Sequence, residues 1–545
     1  MYTIGYDFGD TYLTLDSLSF AVRIGTLENI YAPDPAKLTL ETSSDCFKLD
    51  AHGLIAAGGQ LHADGSLSVE ITRVSGGRFI VNARGSHATE ICKSILVLVR
   101  GLDLTEITFN PRETATPVDT AWGKGWMEAH RYPFRGAAMP LIFLKNRTGQ
   151  EWFALSKDNQ VRAKYFASFF DYLSNQPILA LSHEADARTR NQTIELPAWH
   201  IGIAPDRTSI VLERCHDLEQ NFGLVPYSRR TDVPKWLDDI QLVANLHGEH
   251  WTGHVFNTFD QMSEILHWIA ERIEGKHVMA FLPAWDGRYY YNYPLYEPSP
   301  RLGGSEGLKR LVEQAHHLGI KVVPMFGANG ANTEYAKRLG LLDAVLHTSY
   351  GKEKYLDWVD WDYDLIREEN GLLLNLGHPA FRAHMLERTS RLVDEFGVDG
   401  IFLDIAYYWE NDPQYSPYEG TVEYVNEMRR RYPHLLLFGE NSYDALWGLF
   451  PLWAEDQGPT GFEAALYRYA RQTYYLAHPS PGSGSGGVHE GAWHYQGWKW
   501  NSAEMTIPAL SVVSDTITTH ARATEAEIEK AKHWHFHAPP IANMP

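Results

Sequence analysis

Two acids stand at the ends of apolar runs. Asp404 closes "VDGIFLD" and Glu440 closes "LLLFGE", 36 positions later. A buried run that finishes on a carboxylate is expensive unless the charge has a task, because ionised groups resist leaving water. A pair of carboxylates is suited to cleaving an acetal: one attacks the anomeric carbon or steers a water, and the other protonates the leaving oxygen. Neighbouring parallel strands lie about 4.7–4.9 Å apart, so two such acids on consecutive strands would sit on the order of 5–6 Å from each other. That is close to the roughly 5–5.5 Å of a retaining glycosidase; an inverting pair needs roughly 6.5–9.5 Å to admit a water. The segment "PLWAEDQGP" (451–459) offers Glu455 and Asp456. Either of these with Asp404 gives the wider spacing, so retention and inversion both stay open.

Polar and aromatic side chains gather near the same run ends. Candidates for contacts to sugar hydroxyls or ring faces are Trp285, Asp286, Asn375, His378, Tyr407, Trp409 and Asn441. Further rings occur at Tyr289, Tyr290, Tyr291, Tyr408, Trp358 and Trp361. The chain is 13% aromatic, with 17 Trp and 29 Tyr, and flat rings stack on the apolar faces of sugars. The bland alternative is that these rings fill cores and pack long loops.

No metal site is expected. "DWVDWDYD" (357–364) crowds four aspartates, yet it has neither the central Gly nor the terminal Glu of an EF-hand loop. It reads as a solvated or sugar-binding loop. The 25 His, among them His489 and His494, show no HExxH spacing. No cofactor motif appears: no GxGxxG follows a strand, and the Gly/Ser-rich "PSPGSGSGG" (479–487) lacks the GK[ST] of a P-loop. That patch reads as a loop, a candidate lid.

Elements must carry these residues to one place. From about residue 236 the chain alternates short apolar runs with amphipathic stretches. "IQLVANLHG", "HVMAFLPAWD", "IKVVPMFGANG", "LLLNLG", "VDGIFLDIAYY", "LLLFGENSYD" and "TIPALSVVSD" are the apolar runs, with helical periodicity between most of them. Near-continuous apolar strands separated by helices predict a parallel sheet covered by helices. Seven or eight such units over about 300 residues predict a (β/α)8 barrel, whose active site lies at the carboxyl ends of the strands. Residues 1–230 read differently: short β-branched runs punctuated by Gly, Asn, Asp and Pro predict an antiparallel β-sandwich. The expected fold is therefore α/β, a TIM-type barrel over 236–545 preceded by a sandwich over 1–230.

Composition narrows the partners. At 44% hydrophobic the chain can bury large cores, and its net charge of −20 argues against nucleic acid and anionic membrane surfaces. No apolar run reaches the roughly 18 residues of a membrane span. The three cysteines, Cys46, Cys92 and Cys215, are far apart and form no CxxC, and the first residues do not form a signal peptide. A cytoplasmic, reducing location is the expectation. The sequence sets no oligomeric state, so a homo-oligomer stays open.

The stretch "NLGHPAFRAHMLERTSRLVDEFGVDGIFLDIA" resembles barrel glycoside hydrolases of the α-amylase superfamily and of the α-glucosidase/α-galactosidase group (families 31, 27 and 36). In those families an N-P-x-x-R-like segment opens a helix and a "GvDGi.lD" strand presents an aspartate. The resemblance implies a nucleophile at Asp404 and, in the family 31–36 type, a β-sandwich before the barrel. It implies an acid/base at Glu440 by the α-amylase pattern, or at Asp456 by the family 31 and 36 pattern. The chain departs from both: Phe402 stands where α-amylases carry the arginine of GxRxD, and no WxDMNE occurs. The expected function is an O-glycosidase acting on an oligosaccharide or glycoside, retaining through Asp404 and Glu440. The alternatives are inversion with Glu455 or Asp456, and a non-catalytic carbohydrate-binding barrel.

Overall fold

The computed structural model describes residues 2–543, apart from 8, 110–113, 118–127, 134–136, 172–175, 251–252, 289–290, 356–370, 441, 456–460, 475–477, 480–504 and 513–515. The chain divides into two compact units, Met1–Gly223 with Thr460–Glu463 and Leu224–Pro459 with Ala464–Pro545.

The first unit consists mainly of two antiparallel sheets, of ten and nine strands. Alternation makes them. Along Arg78–His87 every second residue is buried, so Phe79, Val81 and Ala83 face inward. Rings from the two sheets meet: Phe20 lies 5.5 Å from Phe79, and Phe166 packs edge-on to Trp199 at 5.7 Å. A Cβ on Gly85 would run into the Ile24 side chain at 2.3 Å, so glycine permits this approach. One helix, Arg207–Asn221, ends the unit, capped by the Asp206 side chain accepting from Ser209 N–H.

The second unit is a nearly closed parallel barrel. Its strands run in the order Leu242–Asn245, Val278–Leu282, Lys321–Gly327, Gly400–Asp404, Leu436–Glu440, Leu452–Glu455 and Arg471–Tyr474. The next segment closes the ring. Thr506–Ile507 pairs with Arg471–Tyr474, and Ala509–Ser511 pairs with Leu242–Asn245. Pro508, which has no N–H to give the ladder, separates the two pieces. His478–Pro479 adds a further segment alongside Ala509–Ser511. With 506–511 taken as one interrupted strand, the parallel sheet has nine strands, the seven above, 506–511 and His478–Pro479, where the rhythm of the sequence predicts seven or eight.

One predicted barrel strand lies elsewhere. From "LLLNLG", Gly371–Leu373 pairs antiparallel with Gly330–Asn332 in a separate two-stranded sheet. Burial without alternation looks the same in a barrel strand and in a short covered ladder, which is why the sequence misassigns it. The polar strand Arg471–Tyr474 takes a place in the ring without announcing itself as an apolar run.

The covering helices have recognisable ends. Phe259–Ala270 starts with a capping box in which Thr258 and Gln261 satisfy each other's backbone N–H groups. Gly304–His317 buries Leu308, Leu311, Val312 and Ala315, an i, i+3, i+4, i+7 stripe. Pro379–Phe396 stops at Gly397, whose φ of 71° a β-carbon would oppose. Among the described residues no helix is long and apolar enough to cross a membrane.

Inside the ring lies a continuous apolar core. It contains Val243, Met279, Phe281, Val323, Met325, Phe402, Leu436, Phe438, Leu452 and Ala509. Phe281, Phe402 and Phe438 form a cluster with ring separations of 4.9, 4.6 and 6.0 Å. Side chains alternate along a strand with a period of two. Asp404, two residues after Phe402, and Glu440, two after Phe438, therefore point to the same side as these rings, one layer nearer the carboxyl ends.

Candidate active site

The register brings the two acids together. Leu403 pairs with Gly439, so Asp404 and Glu440 are the next pair along adjacent parallel strands. Both are almost fully buried, Asp404 at 1% and Glu440 at 4% exposure. They are tied through backbone as well: the Ile405 N–H donates to Glu440 Oε2 at 2.5 Å. That bond anchors one oxygen of Glu440 directly beside the end of the Asp404 strand.

The chain is strained where this happens. Ile405 has φ of 47°, a left-handed conformation that crowds a β-branched side chain. Among the described residues of the barrel unit, Ala284 (φ 52°) and Tyr296 (φ 50°) are the other non-glycine cases. All three follow the carboxyl ends of the second and fourth strands. Each such conformation costs on the order of 1–3 kcal/mol, and such costs concentrate at functional sites.

A third carboxylate joins from the loop after the second strand. Asp286 is 3% exposed, and neither of its oxygens has a hydrogen-bond partner in another of the described residues. Burial pushes its carboxyl well above the usual carboxylate range, against the opposing pull of its own backbone N–H and with a smaller push from Glu249 nearby. Glu249 is also buried, paired with Arg301 and within 3.4 Å of Ser299 Oγ. Tyr293 connects the acids. Burial, then the Asp286 and Asp404 carboxylates, raises its phenol well above the ordinary value, so both acids lie within electrostatic reach of one hydroxyl.

Glycine makes room for this tyrosine. Gly327 pairs in register with Asp404, and a Cβ on Gly327 would meet the Tyr293 ring at 2.6 Å. Tyr296 O–H donates to the Gly327 carbonyl at 2.5 Å, and Ala328 N–H donates to the Asp404 carbonyl at 3.0 Å. Asn329 Nδ2 reaches the Ile405 carbonyl at 3.4 Å, from the third strand's loop to the fourth's.

Other predicted site residues take different places. Trp285 has 0% exposure; its indole N–H donates to the Met325 carbonyl at 2.7 Å and its ring packs on Phe326. The ring is enclosed by protein on this packing. Asn375 holds a turn, accepting from Gly377 N–H at 2.9 Å and donating to the Tyr415 carbonyl at 3.0 Å. His378 caps the helix Pro379–Phe396 by accepting from Ala380 N–H, and its ring lies 4.9 Å from Tyr415. These two residues carry local structure. Tyr407 and Trp409 sit on the loop after Asp404 and are largely buried, with the Tyr407 and Tyr408 rings 6.3 Å apart.

Several candidates lie outside the described residues: Asn441, Asp456, Tyr289, Tyr290, Trp358, Trp361, His489, His494, the acidic run 357–364 and all but the first residue of 479–487. Glu455 is the last residue of the Leu452–Glu455 strand, next in the ring after the Glu440 strand. Sequence reasoning missed Glu249 and Tyr293. Glu249 lies in "LHGEH" just past the first strand, and Tyr293 lies in "YYYNYPLY"; only their positions after barrel strands could have drawn notice. Among the described residues no group of three His, Cys, Asp or Glu could hold a metal ion.

No protein-family model matches the chain. Among solved structures it is similar to the α-N-acetylgalactosaminidase NagBb from Bifidobacterium bifidum in complex with GalNAc. The TM-score is 0.67 at 11% identity, over 97% of this chain and 93% of that one. The ligand-free form of the same enzyme gives a TM-score of 0.64 at 11% identity, over 97% and 92%. The GH36 α-galactosidase AgaA from Geobacillus stearothermophilus gives 0.48 at 12%, over 95% and 74%. The α-amylase part of the expected resemblance is not represented among them. At such identities the likeness is one of fold: the chain shares its α/β architecture, almost end to end, with an α-N-acetylgalactosaminidase.

Proposed function

We infer that this protein is a glycoside hydrolase that retains configuration, with Asp404 as nucleophile and Glu440 as acid/base. The observation that carries the reading is the register of the two strands. It makes Asp404 and Glu440 neighbours on the same side of the sheet, about 5 Å apart by strand spacing, the range a double displacement uses. The phenylalanine layer beneath them keeps water from the floor, which strengthens every charge interaction above it. Ionised Asp404 attacks the anomeric carbon while Glu440 gives its proton to the leaving oxygen. Water then enters, loses a proton to Glu440, and releases the sugar from Asp404. With Oε2 of Glu440 held by the Ile405 N–H, the transferred proton belongs on Oε1.

Asp286 completes the reading. A carboxyl without partners at the mouth is suited to hydrogen-bond sugar hydroxyls, which would satisfy its oxygens on binding. The names of the structural neighbours suggest α-linked galactose or N-acetylgalactosamine as the sugar. The two antiparallel sheets of the first unit are read as a sandwich. Among the described residues the thiols Cys46, Cys92 and Cys215 form no disulfide, as the proposed reducing, cytoplasmic location would have it.

A panel of 4-nitrophenyl α- and β-glycosides, with product anomers followed by NMR, tests the activity and its stereochemistry. Retention with loss of turnover in Asp404→Asn supports the assignment; full turnover in that variant overturns it. A second reading rests on Leu452–Glu455 being the next strand in the ring. If the product is inverted, Glu455 or Asp456 replaces Glu440 as Asp404's partner. Sugar binding with no cleavage by the unaltered chain would leave the carbohydrate-binding barrel.

A further inference from the structure

The opposite end of the barrel holds a charged cleft with no part in the chemistry above. Its volume is about 370 Å³. Arg471 opens its strand, and Lys235–Asp239 precedes the first strand, so the cleft lies at the amino ends of the parallel strands. Asp404 and Glu440 stand at the carboxyl ends, a strand length of roughly 15 Å away.

Arg471 is placed as a receptor group. Its guanidinium lies between two rings, 3.7 Å from the Tyr227 centroid and 3.8 Å from the Phe536 centroid. Stacked on both faces, a guanidinium can offer hydrogen bonds only from its edge, in the plane of its N–H groups. Its nearest carboxylate, Asp238, is 4.0 Å away and 61% exposed, and Asp238 already accepts from Tyr227 O–H at 2.9 Å. This is a loose pairing for a guanidinium whose surroundings are largely protein.

The charge balance is unusual for this chain. Overall it carries −20, yet Arg230, Lys235, Arg468 and Arg471 line the cleft against one carboxylate, Asp238. Arg230 is spoken for: it forms a two-pronged pair with Asp232 and donates to the Phe450 and Tyr469 carbonyls. Arg468 likewise has a partner, and Lys235 and Arg471 against Asp238 leave a surplus of one positive charge. A phosphate monoester carries about −1.5 to −2 at neutral pH.

We propose that this cleft binds a small phosphorylated ligand of monosaccharide size, its phosphoryl oxygens docked on the exposed edge of the Arg471 guanidinium. A planar N–H edge matches two phosphoryl oxygens at once. Lys235, exposed at the rim, adds point charge without fixed geometry. Phe536 belongs to the segment after the last helix, Ala521–Lys532, so a bound phosphate also fastens this segment to the barrel floor.

Thermal unfolding tests the proposal on the full chain. Sodium phosphate and glucose 6-phosphate are titrated at constant ionic strength, with chloride, acetate and glucose as controls. Binding predicts a saturable rise in Tm on the order of 2 °C with both phosphates. Arg471→Met keeps an unbranched chain between the rings and should abolish the rise. If that variant does not fold, Lys235→Glu, an exposed change, should weaken the half-saturation several-fold. An equal rise with acetate overturns the phosphate assignment. No saturable rise, or an unchanged one in the folded variants, overturns the site.

Discussion

Each unit buries an aspartate, and the two have opposite surroundings. In the antiparallel unit Asp158 is 3% exposed and saturated with donors: Lys164 Nζ at 2.5 Å, Arg162 at 2.8 and 3.0 Å, and the Gln160 N–H at 3.0 Å. Burial alone would push its carboxyl up, but Lys164 and Arg162 outweigh burial and hold it well below the usual range. In the barrel unit Asp286 is equally buried, has no cation beside it among the described residues, and is pushed up. The same side chain at the same exposure is structural in one place and costly in the other. A buried carboxyl kept without partners stands ready for a ligand; a saturated one has nothing left to offer.

The comparison can be tested by activity and stability, from the largest effect down. Asp404→Asn should lower turnover by at least about 10³-fold with folding intact, and Glu440→Gln by about 10²–10⁴-fold, less on substrates with good leaving groups. Kinetics on aryl glycosides of graded leaving-group pKa decide this; equal loss on every leaving group would move the acid role to Glu455 or Asp456. Asp158→Asn should cost about 3–5 kcal/mol in denaturant unfolding, because it strands Lys164 with no exposed surface. Asp286→Asn should do the reverse, leaving stability equal or higher by about 1 kcal/mol while weakening substrate binding. If both variants lose stability alike, Asp286 is structural and the contrast fails.

The pH dependence carries the same contrast in smaller form. Asp158 has a lowered folded pKa, so its stabilisation is present above the unfolded value near 4 and fades as pH falls below it. Asp286 has a raised folded pKa. Its unfolded form loses the proton first, so stability falls as pH rises from about 4 through the folded value. His183, buried and neutral beside Lys164 and Asp158, is held well below 6.5 by burial and by Lys164. Its effect on stability is a loss as pH falls below about 6.5. Comparing each variant's unfolding-versus-pH curve with the parent's isolates these slopes, and an unchanged slope in Asp286→Asn removes its raised pKa from the account.

Much of the site was readable because it sits at strand ends. "GIFLD" and "LLFGE" are buried strands that end on acids, and Asp286 follows "VMAFL" by a few residues. Parallel pairing then needs only the correct neighbours. The placement of Asn375 and His378 was not legible because Gly371–Leu373 is as apolar as a barrel strand but pairs antiparallel elsewhere. The burial of Trp285 was not legible because a ring beside a strand-end loop and a ring wedged under it have the same sequence neighbours. Glu249 was missed because only packing between two loops brings it near Asp286, and Tyr293, on Asp286's own loop, because nothing local marks which tyrosine of that run is buried.

By itself the sequence determined the two architectures, the alternation that turns Asp404 and Glu440 to one side, and the caps and stripes of the helices. These follow from local periodicity and from the cost of burying charge. Tertiary structure decided which strands join the ring, how many there are, and whether each buried acid meets a cation or an empty place. Those outcomes depend on contacts between residues far apart in the chain, where register and packing choose the partner and local pattern is silent.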